Sequence, residues 1–211
     1  MNNRLKSLVI GNSFFIFGGS LIIPVYALFA EDIGAGVQLM GVLFAVKFIA
    51  NAVADLIIMR MPDNHERTVA IYRGSMVVRG LAWVCVGLFP SIPMLLAVQI
   101  VTGLAEGFGT PAFSTLMANS LDKGKHMKQW AAWDLIKNPL IAAGGILSGA
   151  VVNTYGFGAM FYLMGGLAIV AALIPVAPLL PGKSRKKKFS LLAGYNYLFP
   201  RSQAKGEAAE A

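Results

Sequence analysis

Six long apolar runs fill most of this 211-residue chain and constrain its fold more than any other feature. Their limits are 8–29, 37–59, 71–89, 94–117, 130–152 and 157–180. A helix of about 20 apolar residues crosses a bilayer, whereas a barrel strand needs only about 10 alternating ones. The runs therefore predict an all-α membrane protein with six transmembrane helices in residues 1–181. A basic tail, 182–211, is expected to lie in the cytoplasm. Its first part suits either the membrane interface or an ordinary solvated tail, and its end is expected to be disordered.

The placement of basic residues predicts the orientation of these helices. Fifteen of the 18 Lys and Arg residues fall in the N-terminus, the second and fourth loops and the tail. The other three predicted loops, 30–36, 90–93 and 153–156, contain none. Under the positive-inside rule, both termini are cytoplasmic. The expected location is the plasma (bacterial inner) membrane, and the net charge of +8 indicates contact with membrane lipids rather than with nucleic acid.

Ionisable residues inside a membrane span are costly, so each one is a candidate functional residue. Lys47 and Glu106 both lie near the middle of their runs, and we expect them to pair. The pair suits either a substrate or proton cavity or a structural link between helices. Six further residues are predicted to line the same cavity: Asn12, Tyr26, Gln99, Thr110, Asp134 and Lys137. Asp134 and Lys137, spaced i, i+3, also suit a simple pair along their own helix.

Two other sets of side chains within the runs have a structural interpretation as the first choice. Arg79 and Asp55 both lie toward the cytoplasmic ends of their runs, which predicts a structural or gating ion pair. Trp130 and Trp133 suit anchors at the membrane interface, with stacking on a substrate as the alternative.

Catalytic and metal-binding patterns are not apparent in the sequence. Cys85 is the single cysteine, and His65 and His126 lie in separate loops. Neither a phosphate-binding loop nor a nucleophile elbow is recognisable. We therefore expect a protein that is not an enzyme, with no cofactor and no metal site.

Three segments resemble the N-terminal half of a major facilitator superfamily transporter, and the likeness covers residues 5–180. They are FAEDIGAGVQLMGVLFAVKFIANAVAD (29–55), VQIVTGLAEGFGTPAFSTLMANSL (98–121) and GGILSGAVVNTYGFGAMFYL (144–163). Gly103 and Pro111 match the family's fourth helix, where Gln99 replaces an Arg. Asn51 replaces a Gly of the loop signature.

The resemblance implies a division of labour among the six helices. Helices one and four would line a cavity, two and five would flank it and meet the other half, and three and six would support them. Since full-length relatives have two such halves, a homodimer is expected. Its predicted interface comprises Asn51, Gly144, Gly145 and Gly149, although small residues also suit packing within one bundle.

The expected function is that of a half-size secondary transporter for a small polar or amphipathic solute. It would work as a homodimer by alternating access. If Glu106 lacks a cationic partner, burial would make its carboxyl group a candidate proton carrier. Three alternatives remain open: pairing with a different half-size chain, a non-transporting membrane scaffold or assembly protein, and a piece of a longer protein.

Overall fold

The computed structural model describes residues 3–62 and 64–174, which fall within the first of two units, Met1–Leu179. The predicted basic tail, 182–211, lies outside the described residues. The boundary at residue 181 therefore stays a prediction.

Six helices make up most of the described part of the chain. They are α1 (Asn3–Ser20), α2 (Tyr26–Asp32), α3 (Val37–Ile58), α4 (His65–Leu88), α5 (Ile92–Ser120) and α6 (His126–Leu173). Four of them, α3 to α6, are long and apolar enough to cross a membrane. The all-α membrane class is therefore confirmed, while the count of six crossings stays a prediction.

The helix boundaries differ from the predicted runs at two places. The first run is divided, because α1 ends at Ser20 and a turn containing Pro24 precedes α2. The last two runs form one element, α6, which is broken at Gly156 with φ 79° and ψ 174°. A positive φ suits glycine, so the predicted turn at 153–156 survives as a sharp kink rather than a loop. We call 126–155 the first arm of α6 and 157–173 its second arm.

Side-chain caps begin two of the long helices. The Asn64 side chain accepts a hydrogen bond from the Glu66 backbone N–H at 2.9 Å at the start of α4. Ser91 caps α5 in the same way, and its side chain accepts from the Met94 N–H at 3.4 Å. Each cap satisfies a backbone donor that has no partner inside its helix.

Helix α4 lies between α5 and α6, α1 packs on α6, and α3 packs on α5. Two glycines of α5 explain the close α3 contact. A Cβ atom at Gly107 would lie 2.5 Å from the Asn51 backbone oxygen, and one at Gly103 would collide with the backbone oxygen of Lys47. The helices thus meet backbone to backbone. We call this contact, formed by Lys47, Ala50, Asn51, Ala54, Gly103 and Gly107, the α3–α5 seam.

A similar close contact joins α1 to the first arm of α6. Gly144 is buried, and a Cβ atom there would collide with the Ser20 side chain. The assignment of Gly144 to an interface between copies is therefore corrected, because it packs within the bundle. Asn51 is also corrected: it lies half-buried against Gly107 rather than on the open side of α3.

Candidate functional site

Three charged side chains from three helices meet in the middle of the bundle. Lys47 Nζ of α3 lies 3.0 Å from Glu106 Oε2 of α5, so the predicted pair is confirmed. Arg79 Nη2 of α4 lies 3.6 Å from the same oxygen. The Lys47 and Glu106 side chains are each 28% exposed, and that of Arg79 is 19% exposed. The Glu106 carboxylate therefore contacts two cations. The shorter contact, with Lys47, lies at the α3–α5 seam. We call Lys47, Arg79 and Glu106 the charge triad.

The predicted ion pair between Arg79 and Asp55 is wrong. Arg79 contacts Glu106 instead, and Asp55 takes part in no ion pair within the described residues. The reason lies in the helix order, because α5 packs against both α3 and α4 and comes between them. Similar depth in the membrane did not bring the two side chains to the same side of their helices.

The guanidinium group of Arg79 also contacts two aromatic rings. Its central carbon lies 4.5 Å from the Phe15 ring centroid and 5.7 Å from that of Trp83. Such cation–π contacts stabilise a partly desolvated cation. The Arg79 Nε atom is buried and has no hydrogen-bond acceptor among the described residues. Arg79 thus keeps an unused donor beside its ion pair.

An open cavity of about 420 Å³ lies on the other side of Arg79. Its walls come from α1, α4, α5 and the first arm of α6. They include Asn12, Phe15, Gly19, Ser20, Tyr72, Ser75, Met76, Arg79, Thr110, Phe113, Ser114, Trp130, Trp133 and Lys137. A volume of this size is typical of pockets for small organic molecules. Three of the predicted cavity residues therefore line it: Asn12, Thr110 and Lys137.

Aromatic side chains form a continuous wall of this cavity. The ring centroids of Tyr72 and Phe113 are 5.8 Å apart, as are those of Phe113 and Trp133. Trp133 is only 3% exposed, so it is a buried wall residue and not an interfacial anchor. Trp130 lies on the same wall. Both tryptophans therefore lie on the cavity wall, and stacking on a substrate stays a prediction.

Most polar side chains of the cavity form hydrogen bonds or ion pairs with neighbouring residues. The Tyr72 hydroxyl donates to Asn12 Oδ1 at 3.3 Å, and Asn12 is buried. Lys137 pairs with Asp134 along the first arm of α6, as its i, i+3 spacing predicts. Among the residues that the structure describes, no group of three or more His, Cys, Asp or Glu side chains could hold a metal ion.

The remaining predicted cavity residues lie away from the wall. The Gln99 side-chain amide donates to the Tyr26 hydroxyl, and this bond links α5 to α2. Lys47 and Glu106 lie behind Arg79, and Asp134 does not line the cavity. Their predicted role as lining residues is corrected, although the charge triad connects two of them to the cavity through Arg79.

Sequence reasoning missed the contribution of α4 to this cavity. The resemblance implied that the third predicted helix supports the bundle from outside, yet Tyr72, Ser75, Met76 and Arg79 of α4 all line the wall. One signal was available, because an arginine inside a span needs a polar or charged environment. Tyr72 and Ser75 precede Arg79 by seven and four residues and share its face.

Comparisons with known proteins agree with the helical architecture. A family model described as the Major Facilitator Superfamily matches residues 8–202. An uncharacterized MFS-type transporter of Methanocaldococcus jannaschii is 24% identical over 89% of this chain and 50% of its own length. The multidrug resistance protein MdtG of Yersinia enterocolitica is 26% identical over 68% of this chain and 36% of its own. A multi-drug resistance efflux pump PmrA homolog of Lactococcus lactis is 25% identical over 79% and 40%. The chain spans half or less of the length of these relatives.

Proposed function

The chain belongs to the major facilitator superfamily of membrane transporters, and we propose that it forms one half of a secondary active transporter. Two copies would enclose a shared pathway and move a small polar or amphipathic solute by alternating access. The observation that carries this proposal is the charge triad beside an aromatic cavity of about 420 Å³. Two relatives named for multidrug resistance support an amphipathic organic solute.

Glu106 is the group that we propose to couple transport to protons. It is the shared partner of Lys47 and Arg79, so a proton on its carboxylate would weaken both ion pairs together. Three helices meet at this carboxylate, and loss of its charge would change how α3 and α4 are held against α5. A protonation step of this kind links a proton to the relative positions of helices.

A second copy of the chain is the proposed partner. Gly145 and Gly149 on α6 have open space where a Cβ atom would lie, so another helix could approach them closely. The open side of α3 carries large apolar residues, including Phe44, Phe48 and Ile49, each more than half exposed. The proposed setting is the plasma membrane with both termini in the cytoplasm, which the basic second and fourth loops support.

Transport by the purified full chain in liposomes tests this proposal. A proton gradient is imposed, and movement of a fluorescent amphipathic probe is recorded. We expect uptake or efflux with the wild-type chain and none with Glu106→Gln, while that variant stays folded in detergent. Glu66→Gln is the matched control, because Glu66 lies in the first turn of α4, outside the charge triad.

The same preparation separates the competing functions. Transport by this chain alone supports a homodimer, and crosslinks between α3 of one copy and α6 of another would strengthen that conclusion. Transport that needs another half-size chain would replace the homodimer with a heterodimer. A folded chain that never moves a solute would favour the remaining alternative, a non-transporting membrane scaffold. Normal proton-driven transport by Glu106→Gln would exclude its coupling role.

A further inference from the structure

We propose that the cavity selects amphipathic organic anions and that Arg79 binds their anionic group. This inference rests on the proposed function, because it names the class of solute that the transporter would accept. It depends on three features of the cavity: the charge of its wall, the unused donor of Arg79 and the arrangement of its aromatic rings.

The charged residues on the cavity wall are all cationic. Arg79 and Lys137 line it, and none of the lining residues is acidic. The two nearby carboxylates, Glu106 and Asp134, lie behind these cations and do not line the wall. With Lys47, the site holds three cations and two carboxylates, so one positive charge remains uncompensated. A cationic solute would find no counter-charge on the wall, whereas an anion would find two.

Arg79 lines the cavity and has one hydrogen-bond donor that no described residue uses. Its contact with Glu106 is 3.6 Å, longer than the 3.0 Å contact that Lys47 makes with the same oxygen. Lys47 and Arg79 thus share one carboxylate, and the shorter of the two contacts belongs to Lys47. The buried Arg79 Nε has no acceptor among the described residues. A carboxylate or sulfonate can accept two parallel N–H bonds from a guanidinium, including one from Nε.

The rest of the wall suits a flat apolar body attached to that anionic group. Phe15 lies under the Arg79 guanidinium at 4.5 Å, so an anion bound there would be flanked by an aromatic ring. The rings of Tyr72, Phe113 and Trp133 continue the wall toward Lys137. Tyr72 and Trp133 are each 3% exposed, so Phe113 and Trp130, which are half-buried, supply the accessible ring surface of this wall. The expected solute is therefore an aromatic carboxylate or sulfonate.

A series of three probes with one shared ring system isolates the effect of charge. They are 2-naphthoate, the neutral 2-naphthamide and the cationic 2-naphthylmethylammonium. Binding to the purified full chain in detergent is measured by isothermal titration calorimetry, with empty micelles as the blank. We expect naphthoate to bind about tenfold more tightly than naphthamide, because a hydrogen-bonded ion pair replaces a neutral contact. The ammonium compound should bind most weakly.

Substitutions at two arginines of α4, Arg79 and Arg73, test which of them causes the preference for naphthoate. Arg79→Gln should abolish the preference for naphthoate over naphthamide, and Arg79→Lys should retain part of it, because lysine keeps the charge without the planar fork. Arg73→Gln removes the same charge from the same helix and should keep the full preference. Arg73 does not line the cavity, and its Nε donates to the Ala172 backbone oxygen at 2.7 Å.

The wild-type series decides the question even if a variant fails to fold. Equal or tighter binding of the ammonium compound would overturn the proposal, and so would an unchanged preference in a folded Arg79→Gln variant. Failure of the proposed transport function looks different. In that case naphthoate would bind preferentially but would not move across liposomes. Conversely, transport of the ammonium probe without naphthoate binding would support the proposed transport function and exclude anion selection.

Discussion

The α3–α5 seam and the cavity lie on opposite sides of Arg79. Charged side chains neutralise each other at the seam, whereas the charged residues that line the cavity are all cationic. At the seam, Gly103 and Gly107 bring two backbones together, and Lys47 and Glu106 neutralise each other there. On the cavity side the wall is open, and Arg79 and Lys137 face it without an acidic lining residue. The difference teaches that buried charge alone does not mark a binding site. Arg79 differs from Lys47 and Glu106 because it also lines open volume, and the proposal of anion binding depends on that difference.

The largest effect should come from forcing the seam apart. Gly103→Leu would place a side chain against the α3 backbone, where even a Cβ atom collides with the backbone oxygen of Lys47. Because backbone cannot move aside cheaply, we expect a loss of more than about 3 kcal/mol of stability, or no folded protein. Thermal unfolding in detergent, followed by tryptophan fluorescence, measures this. Gly166→Leu is the control, since Gly166 is exposed with open space around it. Equal unfolding temperatures for the two variants would contradict a tightly closed seam.

Removing the shared carboxylate should have the next largest effect. Glu106→Gln leaves Lys47 and Arg79 without their partner, and we expect a loss of roughly 3 kcal/mol in a protein that still folds. Asp134→Asn breaks the pair on the cavity side, where the Asp134 side chain is 50% exposed. Its cost should stay below about 1 kcal/mol, because solvent screens that pair. The same unfolding measurement applies. Similar losses of stability in Glu106→Gln and Asp134→Asn would contradict the difference between the seam and the cavity side.

A pair of adjacent glycines tests packing around the cavity. Gly144→Leu would collide with Ser20 and should cost about 2 kcal/mol, because the Ser20 side chain can partly move aside. Gly145→Leu has open space and should leave the unfolding temperature unchanged. Crosslinking between copies adds a second measurement. Loss of crosslinks in Gly145→Leu alone would place the partner surface at Gly145. Destabilisation by Gly145→Leu instead would show that it packs within the bundle.

The smallest effect on stability is expected from loss of the Gln99–Tyr26 hydrogen bond, which belongs neither to the α3–α5 seam nor to the cavity. Tyr26→Phe removes the acceptor of the Gln99 amide and should cost about 1 kcal/mol. Tyr155→Phe is the control, because Tyr155 is 73% exposed. If the two variants unfold at the same temperature, the bond between α2 and α5 adds nothing to stability.

Position along each apolar run was readable from the sequence, and direction around each helix was not. Lys47 and Glu106 were paired correctly because both lie near the centre of their runs. Arg79 was assigned the wrong partner because position along a run does not reveal which helix stands between two others. Gly144 and Gly145 differ by one residue, or about 100° of rotation, and only packing decides which one faces α1. The cavity wall on α4 was missed for the same reason.

The interruption between α1 and α2 replaces regular hydrogen bonds with side-chain packing. Between Ser20 and Tyr26 the backbone N–H groups of Leu21, Ile23 and Val25 bond three residues back at 3.2–3.3 Å, and Pro24 has no N–H to donate. The turn therefore lacks the regular ladder of bonds four residues back, and Pro24 accounts for the interruption. The part of the cavity wall on α1 is joined to α2 through this turn, and α2 is bonded to α5 through Tyr26 and Gln99. Packing takes the place of the missing ladder, since Leu21 and Val25 within the turn are 0% and 6% exposed.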